Sequence, residues 1–360
     1  MGKIYNFYAG PAILPHTVLE QIQSELVDFG RTGLSLLEMS HRSKEYDAVH
    51  NEAMEKLRSL FSVPDSHEIL FLAGGATMQF AMAPINFLAG GRCAFTLTGA
   101  WAEKAYADAK QLGDVEVLFD GKESGFTTLP EPGSLQVSPQ MRYLHITSNE
   151  TIGGLQWKEF PETGTVPIIA DMSSDILSRP LDFTNFGLIY AGAQKNLGPA
   201  GVTVVIVRKD MLDAEAAAVP AYLRYSTHAA KKSLYNTPPV FAIWALGLVL
   251  TWIDKLGGLE AVEERNRMKS ELLYGVIDEL SEFYTAPVDR RYRSDMNVVF
   301  RTPSQELDAA FISAAKEAGM VGLKGHRSVG GCRASIYNAM PLSGVETLTD
   351  FMREFANKNG

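Results

Sequence analysis

Seven short, almost unbroken apolar runs are spread through the first two thirds of the chain. They are Glu68–Leu72, Arg92–Leu97, Val115–Phe119, Met141–Ile146, Pro167–Ala170, Leu188–Ala191 and Val202–Val207. A strand that shows no apolar/polar alternation has no face to give to water, so it must be covered on both sides. Helical stretches separate the early runs, at Thr77–Leu88 and Trp101–Leu112. The alternation predicts an α/β fold: a large domain with a mostly parallel seven-stranded sheet covered by helices. Ligands of such sheets sit outside the carboxyl ends of the strands, so chemistry is to be sought in the loops that follow them. Beyond Pro238 the pattern changes. A long apolar helix runs to about Ile253 and is broken at Gly257-Gly258. After it come an amphipathic helix (Glu260–Leu280), a strand near Asn297–Phe300, a helix (Gln305–Ala318), a strand near Arg333–Tyr337 and a last helix (Val345–Ala356). This order predicts a smaller α+β C-terminal domain that begins near the double glycine.

Two of the strand ends carry single reactive groups. Ile168-Ile169-Ala170 delivers Asp171, and Leu188-Ile189-Tyr190 leads into AGAQKNLGPAG, which holds Lys195. A lysine and a carboxylate at neighbouring strand ends can face the two ends of one heteroaromatic ring. Pyridoxal phosphate needs this pairing, a lysine for an imine and a carboxylate for the ring nitrogen. Each residue also has an ordinary reading, as a solvated loop lysine and a turn-forming aspartate. Other strand ends add to the first reading. Ala73–Phe80 is a strand–glycine–helix junction where the N–H groups of Ala76 and Thr77, with the Thr77 hydroxyl, can meet a phosphate. Trp101 can stack on a flat ring, although packing alone also explains a lone tryptophan. Thr151, in Asn149-Glu150-Thr151, can donate to a phenolic oxygen.

Cations gather in two places, Ser40-His41-Arg42 and the glycine-rich stretch from Lys324 through His326 and Arg327 to Arg333. Arginine presents a planar fork that matches carboxylate and phosphate oxygens. In a chain with 33 Lys and Arg against 42 Asp and Glu, net −9, this concentration points to a small dianionic substrate. The same balance argues against nucleic acid as a partner. The chain contains neither G-x-G-x-x-G nor G-x-x-x-x-G-K-[ST], so dinucleotide and nucleoside-triphosphate readings lack their usual support. Cys93 and Cys332 have no metal-ligand spacing, and Cys93, inside a strand, is expected to be a buried thiol. A lyase or desulfurase with a mobile cysteine is a rival reading, with Cys332 as its candidate. A nicotinamide dehydrogenase and a non-catalytic binding protein are the others. The start of the chain does not read as a signal peptide. Gly2 is not followed by Ser or Thr at position 6, and the longest apolar run, Pro238–Ile253, is short for a bilayer. A cytoplasmic protein with no membrane partner is expected.

Long motifs then carry a resemblance along the whole chain: NFYAGPAILP near the start, SHR at 40–42, NETIGG at 149–154 and SSDILSRP at 173–180. YAGAQKNLGPAG at 190–201, NTPP at 236–239 and LKGHRSVGGCRASIYNAMP at 323–341 continue it. The chain resembles the phosphoserine aminotransferases, class-V pyridoxal-phosphate enzymes of the aspartate-aminotransferase fold type. The resemblance implies that Lys195 forms the imine and Asp171 faces the pyridinium nitrogen. It implies that Trp101 stacks on the ring and Thr151 meets the phenolic oxygen. Ala76, Thr77 and Gln194 would hold the cofactor phosphate, joined by Asn236 and Thr237 of a second subunit in a homodimer with shared active sites. His41, Arg42, His326 and Arg327 would bind the substrate phosphate, and Arg333 the α-carboxylate. Some relatives carry an arginine where this chain has Thr77, so the cofactor phosphate would rest more on N–H groups, hydroxyls and amides. The implied reaction exchanges an amino group between O-phospho-L-serine and 2-oxoglutarate in serine biosynthesis. 4-Phosphooxy-L-threonine, of pyridoxine biosynthesis, would be a second donor. The implied layout is a cofactor domain at 16–256 and a small domain made of 1–15 and 257–360.

Overall fold

A computed structural model describes residues 4–360, so positions 1–3 of the expected small domain lie outside the described residues. After a two-residue strand β1 (Tyr5–Asn6), helices α1 (His16–Glu25) and α2 (Lys44–Leu60) precede the sheet. Then come β2 (His67–Leu72), α3 (Gly75–Phe87), β3 (Arg92–Leu97), α4 (Ala100–Ala109), β4 (Asp114–Asp120) and β5 (Leu144–Thr147). A short hairpin, β6 (Asn149–Glu150) and β7 (Leu155–Gln156), leads to β8 (Ile168–Asp171), β9 (Phe186–Gly192) and β10 (Thr203–Arg208). The seven-stranded sheet has the order β2-β10-β9-β8-β5-β3-β4. All of its strands point the same way except β10, which pairs antiparallel with both β2 and β9.

Successive residues of the central strands alternate between two buried layers. Leu144, Ile146, Ile168 and Ala170 join one core with α2 and α7 (Val240–Lys255). Tyr143, Ile169, Leu188 and Tyr190 join the other, with α3 and α4. Double coverage is why these strands carry no polar alternation. The exception is β4 at the sheet edge, DVEVLFD, which is only partly buried. Helix α7 is apolar all round because it fills the first core. Among the described residues no single helix is long and apolar enough to cross a membrane.

Helices α5 (Lys209–Asp213) and α6 (Tyr225–Ala230) follow the sheet, and α8 (Gly258–Glu279) follows α7. The break between α7 and α8 falls at Gly257 and Gly258, which take φ of 103° and 81°, values that glycine adopts at little cost. Helix α8 serves two cores: Leu259 and Val262 belong to the large one, Leu273, Val276 and Ile277 to a second. That second core is completed by β11 (Asn297–Phe300), α9 (Gln305–Glu317), β12 (Met320–Val321), β13 (Cys332–Ser335) and α10 (Leu342–Asn359). Strands β11 and β13 pair antiparallel, and β1 pairs parallel with β12. The N-terminal segment thus joins the second core through Tyr5 and Phe7.

Candidate active site

Because β2, β3, β5, β8 and β9 are parallel, their carboxyl ends share one edge of the sheet. Asp171 ends β8, Ser148 to Thr151 follow β5, Trp101 follows β3, and Gln194 and Lys195 follow β9. The Lys195 ammonium donates to the Thr151 hydroxyl at 2.6 Å and stands 5.8 Å from the centre of the Trp101 ring. Burial pulls its pKa down to about 8, and the carboxylates of Asp171 and Glu150 resist that fall. Asp171 is buried, which raises its pKa, while hydrogen bonds from Ser173 and the charge of Lys195 favour its ionised form. The Ser173 N–H donates to its Oδ1 at 2.9 Å. Lys195, Asp171, Thr151 and Trp101 are therefore brought together as the sequence implied.

The segment after β2 turns through Gly74 and Gly75, both left-handed at φ 96° and 66°, into α3. A Cβ on Gly74 would meet the Met78 Cβ at 2.6 Å, so the turn also needs the space. No side chain caps α3, which leaves the N–H groups of its first turn, with Ala76 and Thr77, free for an anion. Gln194 is half-buried at the end of β9, where its amide packs over Gly192; a Cβ there would lie 2.7 Å from the Gln194 Oε1.

A second set of cations stands opposite. Arg333, on β13, donates from Nη1 to the Thr151 carbonyl at 3.1 Å, and its charge lowers the proton affinity of Lys195. Its Nε is buried without a partner, as is the Trp101 Nε1. Burial, and then the charges of Arg333, Arg327 and Lys104, lower the pKa of His326. Lys104 itself lies 4.2 Å from the centre of the Trp101 ring. Among the described residues none of Lys104, Lys195, Arg327 and Arg333 forms an ion pair. Lys104 and Arg327 are exposed and Arg333 is half-buried, so an anion could reach all three; arginine's planar fork suits carboxylate and phosphate oxygens. The loop that bears His326 and Arg327 is pinned by the Gly325 N–H to the Gly331 carbonyl at 2.9 Å and by Arg301 to the Val329 carbonyl at 3.0 Å.

The remaining expected residues are not gathered here. Arg42 is exposed in the turn before α2, where its N–H meets the Ser40 Oγ, and His41 is half-buried beside it. Asn236 and Thr237 are exposed, and the Asn236 side chain turns back to the Thr237 carbonyl. None of the four makes a hydrogen bond to Lys195, Asp171 or Arg333. Cys332, the candidate of the lyase reading, is buried in the second core with its thiol pushed well up by burial. A mobile nucleophilic cysteine is not what this strand residue provides. Cys93 is buried as expected, its thiol raised to about 11.

Sequence reasoning also passed over residues that shape the site. Gly10 brings the N-terminal segment against the lysine, where an added Cβ would lie 3.3 Å from the Lys195 Cγ. Asn149 bridges to the second core through the Asn297 Oδ1 at 2.8 Å and the Ser294 Oγ at 2.5 Å. Glu150 is fully buried beside Lys195 and Asp171. Its place directly between Asn149 and Thr151, at a strand end, was the available signal.

The profile of the class-V aminotransferases matches residues 4–348. The chain belongs to the class-V aminotransferase family. It is 54% identical to the phosphoserine aminotransferase of Halalkalibacterium halodurans over 99% of both chains. The solved phosphoserine aminotransferase of Bacillus circulans subsp. alkalophilus superposes with a TM-score of 0.97 at 52% identity, covering 99% of each. A pyridoxal-phosphate-bound phosphoserine aminotransferase from Trichomonas vaginalis superposes at 0.93 with 36% identity, over 98% of this chain and all of that one. As a class-V aminotransferase, the chain is a pyridoxal-phosphate-dependent transaminase. Its own residues fit that group: a lysine of lowered pKa, a buried carboxylate, an uncapped helix start, and an indole and a guanidinium with buried nitrogens lacking partners.

Proposed function

We propose that this class-V aminotransferase exchanges an amino group between O-phospho-L-serine and 2-oxoglutarate, giving 3-phosphooxypyruvate and L-glutamate. The observation that carries the reading is the set of cations without ion pairs, Lys104, Arg327 and Arg333, gathered around His326, with Arg333 also acting on Lys195. A phosphate ester and a glutamate side chain are both anions held at a similar distance from Cα, so one flexible cationic set serves both. Pyridoxal phosphate, when bound, supplies an electron sink for the charge left at the substrate Cα as its proton departs. Asp171 would hold a proton on the ring nitrogen, Trp101 would cover the ring and Thr151 would meet its phenolic oxygen. Ala76, Thr77 and Gln194 would hold its phosphate.

Lys195 is suited to moving the Cα proton because burial leaves a usable fraction of neutral amine near neutral pH. Arg333 would orient the substrate by its α-carboxylate, and His326 and Arg327 would hold the phosphate. His41 and Arg42 would add to that phosphate site, and Asn236 and Thr237 would reach the cofactor phosphate from a second copy of the chain. Exposed apolar residues near the N-terminus, Leu19, Leu26, Val27, Leu34 and Leu37, support such a homodimer. The large domain would span 16–256 and the small one 1–15 with 257–360, in a cytoplasmic enzyme.

The test is a coupled assay with phosphoserine and phosphohydroxythreonine as donors. Lys195→Ala is expected to lose at least roughly a thousandfold of kcat. Retained turnover would remove Lys195 from the reaction. Arg42→Ala is expected to raise the KM for phosphoserine while cofactor absorbance stays unchanged. An unchanged KM would end the phosphate role of Arg42.

A further inference from the structure

Glu150 is a buried charged group of the site to which the reaction above gives no task. Its carboxylate lies at the start of α4, whose N-cap, Gly99, has no side chain to offer. The N–H of Trp101 donates to Oε2 at 3.3 Å and that of Ala102 to Oε1 at 3.1 Å. A side chain from a different element thus does the work usually done by a capping residue. The fit has no slack: a Cβ on Gly99 would stand 2.5 Å from the Glu150 Cδ. Gly99 is extended, with φ 166°, so room rather than backbone freedom is what requires glycine there. The next residue, Thr151, accepts from Lys195 on its hydroxyl and from Arg333 on its carbonyl. One dipeptide therefore holds the tryptophan-bearing helix on one side and the lysine and arginine on the other.

We propose that Glu150 is a positioning residue whose carboxylate sets the place of Trp101 relative to Lys195 and Asp171. The charged groups that face Glu150 are Asp171, which disfavours its ionisation, and Lys195, which favours it. The inference rests on the cofactor roles given to Trp101 and Lys195.

The experiment compares the full-length apoprotein with its Glu150→Gln, Glu150→Ala and Gly99→Ala variants. Each is titrated with pyridoxal phosphate, and the ionisation of Lys195 is followed by the pH dependence of its acylation, mapped by mass. Glu150→Ala and Gly99→Ala are expected to weaken cofactor binding at least about tenfold. Glu150→Gln, which keeps the shape and one acceptor, should fall between them and the wild type. The Lys195 midpoint, about 8 in the wild type, should drop by roughly half a unit or more in Glu150→Gln. If Glu150→Ala does not fold, the other two variants carry the same decision. Wild-type affinity in Glu150→Gln and Gly99→Ala with an unmoved Lys195 midpoint overturns the inference alone. So does a lower melting temperature unaccompanied by any change at Lys195. A wild-type chain that takes up no pyridoxal phosphate sinks this inference and the proposed function together.

Discussion

Burial brings Lys195 and Glu150 towards each other in proton affinity: the amine falls to about 8 and the carboxyl rises to about 7. For Glu150 the consequence for stability has a definite sign. A carboxyl whose folded value lies above its ordinary 4.5 favours the fold below that value, and the contribution is lost as pH rises through 7. The stability of the Glu150→Gln apoprotein relative to wild type should therefore grow between pH 4.5 and 7 and level off above. The growth should be at most about 3 kcal/mol, read from thermal unfolding across pH. A flat difference over that window would show that Glu150 is ionised throughout. Lys195 and Asp171 were legible in the sequence because each stands alone at the end of an apolar run. Glu150 was not, because its role depends on Gly99, fifty-one positions away, and sequence spacing says nothing about a gap that only a hydrogen can fill. The clustering of Arg333 and His326 was legible from glycine-spaced charge. Lys104 was hidden within an ordinary helix.

At the scale of elements, the helix starts carry much of the site. The α3 start depends on Gly74, whose left-handed backbone and close Met78 contact both exclude a side chain. Gly74→Ala should cost about 1–2 kcal/mol of stability. It should also weaken pyridoxal phosphate binding, because it moves the N–H groups of Ala76 and Thr77. Isothermal titration of the apoprotein checks the second effect, and unaltered affinity would place the phosphate elsewhere. The seven strands could be read from unbroken apolar runs and most helices from apolar patterning. The reversed direction of β10 could not, because a run buried on both faces reports coverage and not polarity of the chain. Helices α1 and α2 were also missed. Their apolar faces, such as Val18 and Ile22 in α1, are narrow and lie among many exposed charges.

Over the whole molecule, the two cores are joined by polar contacts as well as by α8. Asn149 meets Asn297, Asn297 donates to the Tyr337 hydroxyl at 3.2 Å, and Tyr337 donates to the Ala9 carbonyl at 2.6 Å. This chain of bonds runs from the strand end beside Glu150 to the segment that packs on Lys195. Asn149 and the N-terminal segment both stand in recognisable sequence motifs, but nothing in those motifs shows that the two meet through the second core. The proposed homodimer makes a separate prediction. Inactive Lys195→Ala subunits, unfolded and refolded with inactive Asn236→Ala/Thr237→Ala subunits, should recover about a quarter of wild-type activity. Half the dimers would then be mixed, each with one intact site. No recovery would assign Asn236 and Thr237 to their own chain's site.

The strand reversal has one more consequence. Gly192 on β9 is held directly opposite Thr203 on β10, so Lys195 sits in the loop at the tip of a clamped hairpin. Its backbone is a fixed pivot, and the methylene stem is the only tether left to swing. Residues inserted between 196 and 202 would slacken that pivot without altering Lys195, Asp171, Thr151 or Arg333.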